Sequence, residues 1–148
     1  MNSLHRTLVV GIAVVSFAAC SRSGSKDDAS ANHAATVEKI AGSDQARVTL
    51  TDEAAKRIGL ETGIVKDAPA GSGTAQRTMP NAAVLYDPNG KTWAYASQGN
   101  GAYLRTQVTV ARVVGDEAWL SAGPAAGTAV VTVGAEELYG AESTFGED

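Results

Sequence analysis

Two pairs of adjacent carboxylates, Asp116-Glu117 and Glu136-Glu137, are the first candidates for chemistry, because paired acids can divide the work of general acid and general base. That division needs surroundings that push the two pKa values apart. Both pairs stand just after a glycine (Gly115 and Gly134), so they read as solvated turn and tail acids. Soft and imidazole ligands are scarce: two histidines (His5 and His33), two methionines (Met1 and Met79) and one cysteine, Cys20. A structural zinc or a copper site draws three or four such ligands together, and His33, Met79 and Cys20 are too few and too scattered. No histidine stands near a serine in the manner of a nucleophile and its base. The residues therefore predict no enzyme, no metal and no cofactor, and a lone cysteine forms no intramolecular disulfide.

Large side chains are more informative. Aromatic residues make up only 5% of the 148 residues, and several fall in or near one stretch, Ala82 to Ala96. There apolar residues alternate on both sides of the breaker Asp87-Pro88-Asn89-Gly90. Proline pre-sets φ, Asn89 and Gly90 tolerate the left-handed region, and Asp87 can accept backbone N–H groups two residues on, which together predict a β-hairpin. Val84 and Tyr86 would share one face of its first arm, Trp93 and Tyr95 one face of its second. Asn89 at the hairpin tip, with Trp93, Tyr95 and Trp119, is the candidate partner interface; the alternative use of the three aromatics is to anchor the core.

The net charge of −4 and the scattered lysines and arginines exclude a phosphate-neutralising face, so no nucleic acid partner is expected. The first twenty residues carry a short cationic start (His5, Arg6), an apolar run from Leu8 to Val15 and small residues before Cys20. That order is an export signal, too short to span a bilayer. Its end, Ser16-Phe17-Ala18-Ala19-Cys20, resembles a bacterial lipobox, with Phe17 where leucine is usual. The resemblance implies cleavage after residue 19, lipidation of Cys20, and acyl chains that hold the protein on a membrane of the cell envelope, facing periplasm or exterior. Residues 20–45 then read as the lipidated cysteine and a flexible polar tether, in which His33 is solvated.

Next come the elements that must position these residues. Arg47 to Leu50 alternates as a strand. Thr51 is a good N-cap for a short helix over about 52–58, with Asp52 and Glu53 in its first turn and Gly59 as its left-handed C′ residue. Further strands are predicted over 60–65, weakly over 74–79, then over 102–114, 117–121 and 128–133. They are separated by turns at 97–101, Gly115-Asp116 and 123–127, and a loop runs over 67–73. From Gly134 the tail is expected to make one short turn and fray, with 143–148 disordered. Regular short strands with glycine-rich turns give a mainly β chain, a small antiparallel sandwich or barrel with one short helix.

Three phrases add a resemblance. Residues 48–63 (VTLTDEAAKRIGLETG) resemble the opening of the membrane-proximal region of periplasmic adaptor subunits, the membrane fusion proteins of RND-type efflux pumps. Residues 80–95 (PNAAVLYDPNGKTWAY) are similar to the adaptor's return into that region, and residues 123–134 (GPAAGTAVVTVG) to its closing phrase. The resemblance spans 46–142, the expected β domain. Full adaptors place a lipoyl-like domain, an α-helical hairpin and a barrel between opening and closing phrases, where this chain has only the 67–73 loop. The resemblance thus implies an isolated membrane-proximal domain: a lipid-anchored, non-enzymatic component associated with an inner-membrane exporter and acting in transport, without contact to an outer-membrane channel. The alternative expectations are a lipoprotein that binds a small ligand or an envelope polymer by itself, and a truncated adaptor without function.

Overall fold

A computed structural model describes residues 34–43, 45–69, 71 and 73–144. The expected signal segment, Cys20, and the tether up to and including His33 lie outside the described residues. Ten strands and two helices follow in order: β1 (Ala35–Lys39), β2 (Ala46–Leu50), α1 (Asp52–Arg57), β3 (Glu61–Ile64), β4 (Lys66–Asp67), β5 (Arg77–Pro80), β6 (Leu85–Tyr86), β7 (Thr92–Gly99), β8 (Ala102–Val114), β9 (Glu117–Ala122), β10 (Ala129–Val133) and α2 (Ala135–Thr144).

The mainly β, antiparallel fold expected from the strand pattern is the observed one. Strands run in the order β3-β10-β7-β8-β9-β5-β4. β3 and β4 are two halves of one extended segment, interrupted at the buried Val65, whose N–H donates to the Thr128 carbonyl at 2.9 Å. The two ends of the sheet therefore meet in consecutive residues, and the sheet is a nearly closed barrel. The long strand β8 turns the corner. Its residues up to Val108 pair with β7, those from Thr109 onward pair with β9, and the register shifts around Thr109 to Arg112 mark the bend.

The period-two alternation of the strands makes two cores rather than one. Ala94, Val108, Ala118, Leu120 and Val130 point into the barrel with Val65, Met79 and Ala83. Small residues suit a narrow lumen that side chains must fill. Their neighbours Tyr95 and Val131 point outward, where Val48, Tyr103, Ala135 and Leu138 cover them. This outer core needs a roof, made of β1, β2 and α2.

The local chemistry of α1 is as the sequence predicts. Thr51 is extended, at φ −71° and ψ 155°, and its Oγ1 accepts the Ala54 N–H at 3.1 Å. At the other end Gly59 takes φ +64°; its N–H donates to the Lys56 carbonyl and the Leu60 N–H to the Ala55 carbonyl, a double C-terminal closure.

Three expectations are corrected. Residues 35–39, placed in the tether, form β1, paired in register with β2 from Ala35↔Leu50 to Lys39↔Ala46. Ala35 and Val37 on its one apolar face join the outer core, and that burial offsets the ordering cost of the segment. The tail does not fray after one turn: α2 runs ten residues, because Ala135, Leu138 and Glu142 make a buried stripe at helical spacing. The first arm of the Asp87 hairpin is shorter than expected. Residues 81–83 form a single 3-10 turn closed by the Val84 N–H on the Asn81 carbonyl, and only Leu85 and Tyr86 pair with β7.

Candidate functional site

The hairpin turn is tied by Asp87. Its Oδ1 accepts the N–H groups of Asn89 at 2.8 Å and Lys91 at 2.9 Å, and its Oδ2 accepts the indole Nε1–H of Trp93 at 3.1 Å. Desolvation pushes this carboxyl up, but the donors from Lys91, Trp93 and Asn89 together outweigh it and hold Asp87 below the usual carboxylate range. The turn thereby fixes the plane of the Trp93 ring.

That ring is one side of a stack. The guanidinium carbon of Arg105, on β8, lies 4.7 Å from the Trp93 ring centre and 5.5 Å from that of Tyr139, on α2. Behind the stack, Nε and Nη2 of Arg105 reach Oε1 of Glu142 at 3.1 and 3.0 Å. Glu142 is itself enclosed. Its Oε2 accepts the Tyr95 hydroxyl at 2.5 Å and its Oε1 the backbone N–H of Ala46 at 3.2 Å. Burial, and then the carboxylate of Glu142, push the Tyr95 phenol well above its ordinary value. Register explains the assembly: Tyr95 stands directly opposite Arg105 across β7 and β8, and Tyr139 and Glu142 are three apart on one face of α2.

An open groove of about 500 Å³ runs beside this stack. The β6 segment contributes Val84, Leu85, Tyr86 and Asp87; the sheet contributes Trp93 and Arg105; α2 contributes Glu136 and Tyr139. Tyr86 is 68% exposed here, the most exposed large apolar side chain among the described residues. A second cavity of about 280 Å³ adjoins it, sharing Val84, Leu85 and Glu136 and reaching Glu137. Five of the eight groove residues are apolar or aromatic, with few polar groups, the composition of a recognition surface.

The four expected interface residues separate. Asn89 is exposed at the hairpin tip and Trp93 lines the groove. Tyr95 is corrected: it is completely buried under the outer core and presents no surface. Trp119 stacks elsewhere, on β9, with the Arg112 guanidinium 4.1 Å from its ring centre and its indole Nε1 enclosed without a hydrogen-bond partner. The acid pairs remain on exposed ends, Asp116 and Glu117 at the β8–β9 turn and Glu136 and Glu137 on the first turn of α2. Met79 is fully buried inside the barrel, and among the described residues no three His, Cys, Asp or Glu side chains gather as a cation cage. Arg105, Tyr139 and Glu142 were not singled out by sequence reasoning. The signal that could have found them is the spacing of Ala135, Leu138 and Glu142, which makes a helix with a carboxylate on its buried face. Comparison with protein-family models, with curated proteins and with solved structures gives no match.

Proposed function

We propose that the chain is a non-enzymatic, lipid-anchored component of the cell envelope that docks, adaptor-like, on an exporter of the RND or a related type. One observation supports this reading best: the opening and closing phrases pair directly. The part of β3 that belongs to the opening phrase runs antiparallel to β10, from the closing phrase, with Thr62↔Val131 and Gly63↔Val130. The loop that the resemblance would set in place of an adaptor's long insert leaves and returns on paired strands, Asp67↔Arg77. A membrane-proximal unit freed of its insert needs both contacts to close by itself.

The test is in-cell photo-crosslinking from Asn89 and from Asp116, two exposed turn positions, in a strain carrying the full chain. Capture of one exporter, lost when Cys20→Ser releases the chain from the membrane fraction, is the expected result. Capture of lipid and abundant bystanders alone, unchanged by Cys20→Ser, overturns the docking reading. The groove favours a second reading, because its 500 Å³ lies within the roughly 300–1,000 Å³ of small-molecule sites: a lipoprotein that binds a small ligand or envelope polymer without a transporter.

A further inference from the structure

The groove and the strand beside it fit one kind of occupant. β6 pairs with β7 on one side only, and among the described strands none lies along its other edge. The groove and the cavity that adjoins it are lined by this segment on one side and by α2 on the other, so the unpaired strand stands at the border of a concave surface. Open edges are templates for an added strand, whose main-chain hydrogen bonds give affinity and whose alternate side chains enter pockets.

The charged groups along this surface differ in how they are paired. Trp93 and Tyr139 present aromatic surface around Arg105, whose charge is matched by Glu142 at 3.0 Å. Asp87 lines the groove as well, but its two carboxylate oxygens are taken up by the backbone N–H groups of Asn89 and Lys91 and by the Trp93 indole. Glu136, in the groove one helical turn before Tyr139, and Glu137, in the adjoining cavity, are exposed and make no ion pair with a described residue. Their two charges outweigh the roughly half positive charge at the start of a helix, so the first turn of α2 is negative.

The geometry points to a strand-adding site for an extended segment of a partner protein, which lays an apolar or aromatic side chain against Trp93 and Tyr139 and a lysine or arginine against Glu136 and Glu137. The inference deepens the docking reading by naming the seat and the chemistry of what it receives. Pairing on β6 sets the register, and the charge contact sets which segment is accepted.

A displayed library of random octapeptides panned on the purified full chain, with the Glu136→Gln/Glu137→Gln variant as counter-selection, tests it. Both glutamates are exposed, so the variant keeps the fold. Enriched peptides should alternate apolar residues with lysine or arginine, and should shift the backbone amides of Leu85 and Tyr86 and the Trp93 indole N–H in NMR spectra. The double variant should weaken them at least fivefold, and N-methylation of alternate peptide amides at least tenfold. No enrichment, enrichment of acidic peptides, or indifference to N-methylation overturns the proposal. So does phenyltrimethylammonium moving the same signals at lower concentration than any selected peptide, an outcome that assigns the groove to a small organic cation. Failure here with exporter capture intact places docking on another face; success here without exporter capture gives the groove to a different partner.

Discussion

Glu142 is where the outer core is most exposed to a single substitution. Its side chain is 7% exposed and that of Arg105 13%, so the pair is screened little by solvent. Removing one member of a buried pair leaves the other uncompensated, at a cost of about 3–5 kcal/mol. Glu142→Ala should lose that much in urea unfolding, whereas Glu136→Gln on the exposed face should stay within about 0.5 kcal/mol. A loss below about 1 kcal/mol for Glu142→Ala would show that water reaches the pair in solution. Tyr95 gives the pH counterpart. Its phenol is raised in the folded chain, so its stabilisation is complete below pH 10 and is lost as pH rises, because the unfolded chain then gives up a proton that the folded chain keeps. Above pH 10 the wild-type stability should fall more steeply than that of Tyr95→Phe, by about 1.4 kcal/mol per pH unit. Equal slopes would mean that the buried phenol ionises with the folded chain intact.

Two glycines separate packing from propensity among the elements. A methyl group at Gly63 on β3 would collide with the Pro80 ring on β5, where the barrel closes. Gly140 lies in α2 with open space around its position. Gly63→Ala should therefore destabilise by about 1–3 kcal/mol, while Gly140→Ala should stabilise by about 0.5–1 kcal/mol through helix propensity. Thermal melts of the two variants should move in opposite directions; a Gly63→Ala melt at the wild-type temperature would show that the β3–β5 approach is loose. The same distinction explains what was legible in the sequence. Elements with local signatures read correctly: Thr51 and Gly59 bracket α1, and Gly115-Asp116 closes β8 on β9. Elements that owe their existence to distant partners did not. β1 has only Ala35 and Val37 to bury, and α2 carries a glycine and a carboxylate on a weakly amphipathic stretch, so neither declares itself until β7, β8 and β10 supply a surface. The candidate groove was half legible for the same reason. Trp93 and the Asp87 turn stand out locally, but Arg105 and Tyr139 join them only through the register of β8 and the docking of α2.

At the scale of the whole molecule the question is whether two cores mean two unfolding units. They share their strands. On β7 Ala94 faces the barrel and Tyr95 the outer core, and on β10 Val130 and Val131 divide in the same way. Melting either core therefore strips the pairing that supports the other, which predicts a single cooperative transition. The two tryptophans allow the test, since Trp93 sits beside the outer core and Trp119 on β9, on the far flank of β8. Trp119→Phe leaves Trp93 as the only indole reporter, and Trp93→Phe leaves Trp119. Each variant followed by both fluorescence and far-UV circular dichroism in urea should show coincident curves. A fluorescence transition of Trp93 that precedes the loss of strand signal would mean that α2 and the β1–β2 hairpin peel away first. The groove beside α2 would then be formed only part of the time, and any occupant would have to supply the free energy of closing it. Coincidence makes the groove a preformed feature of the barrel, so that a partner meets Trp93, Tyr139 and the edge of β6 already in place and its affinity is not reduced by the fraction of chains in which they are apart.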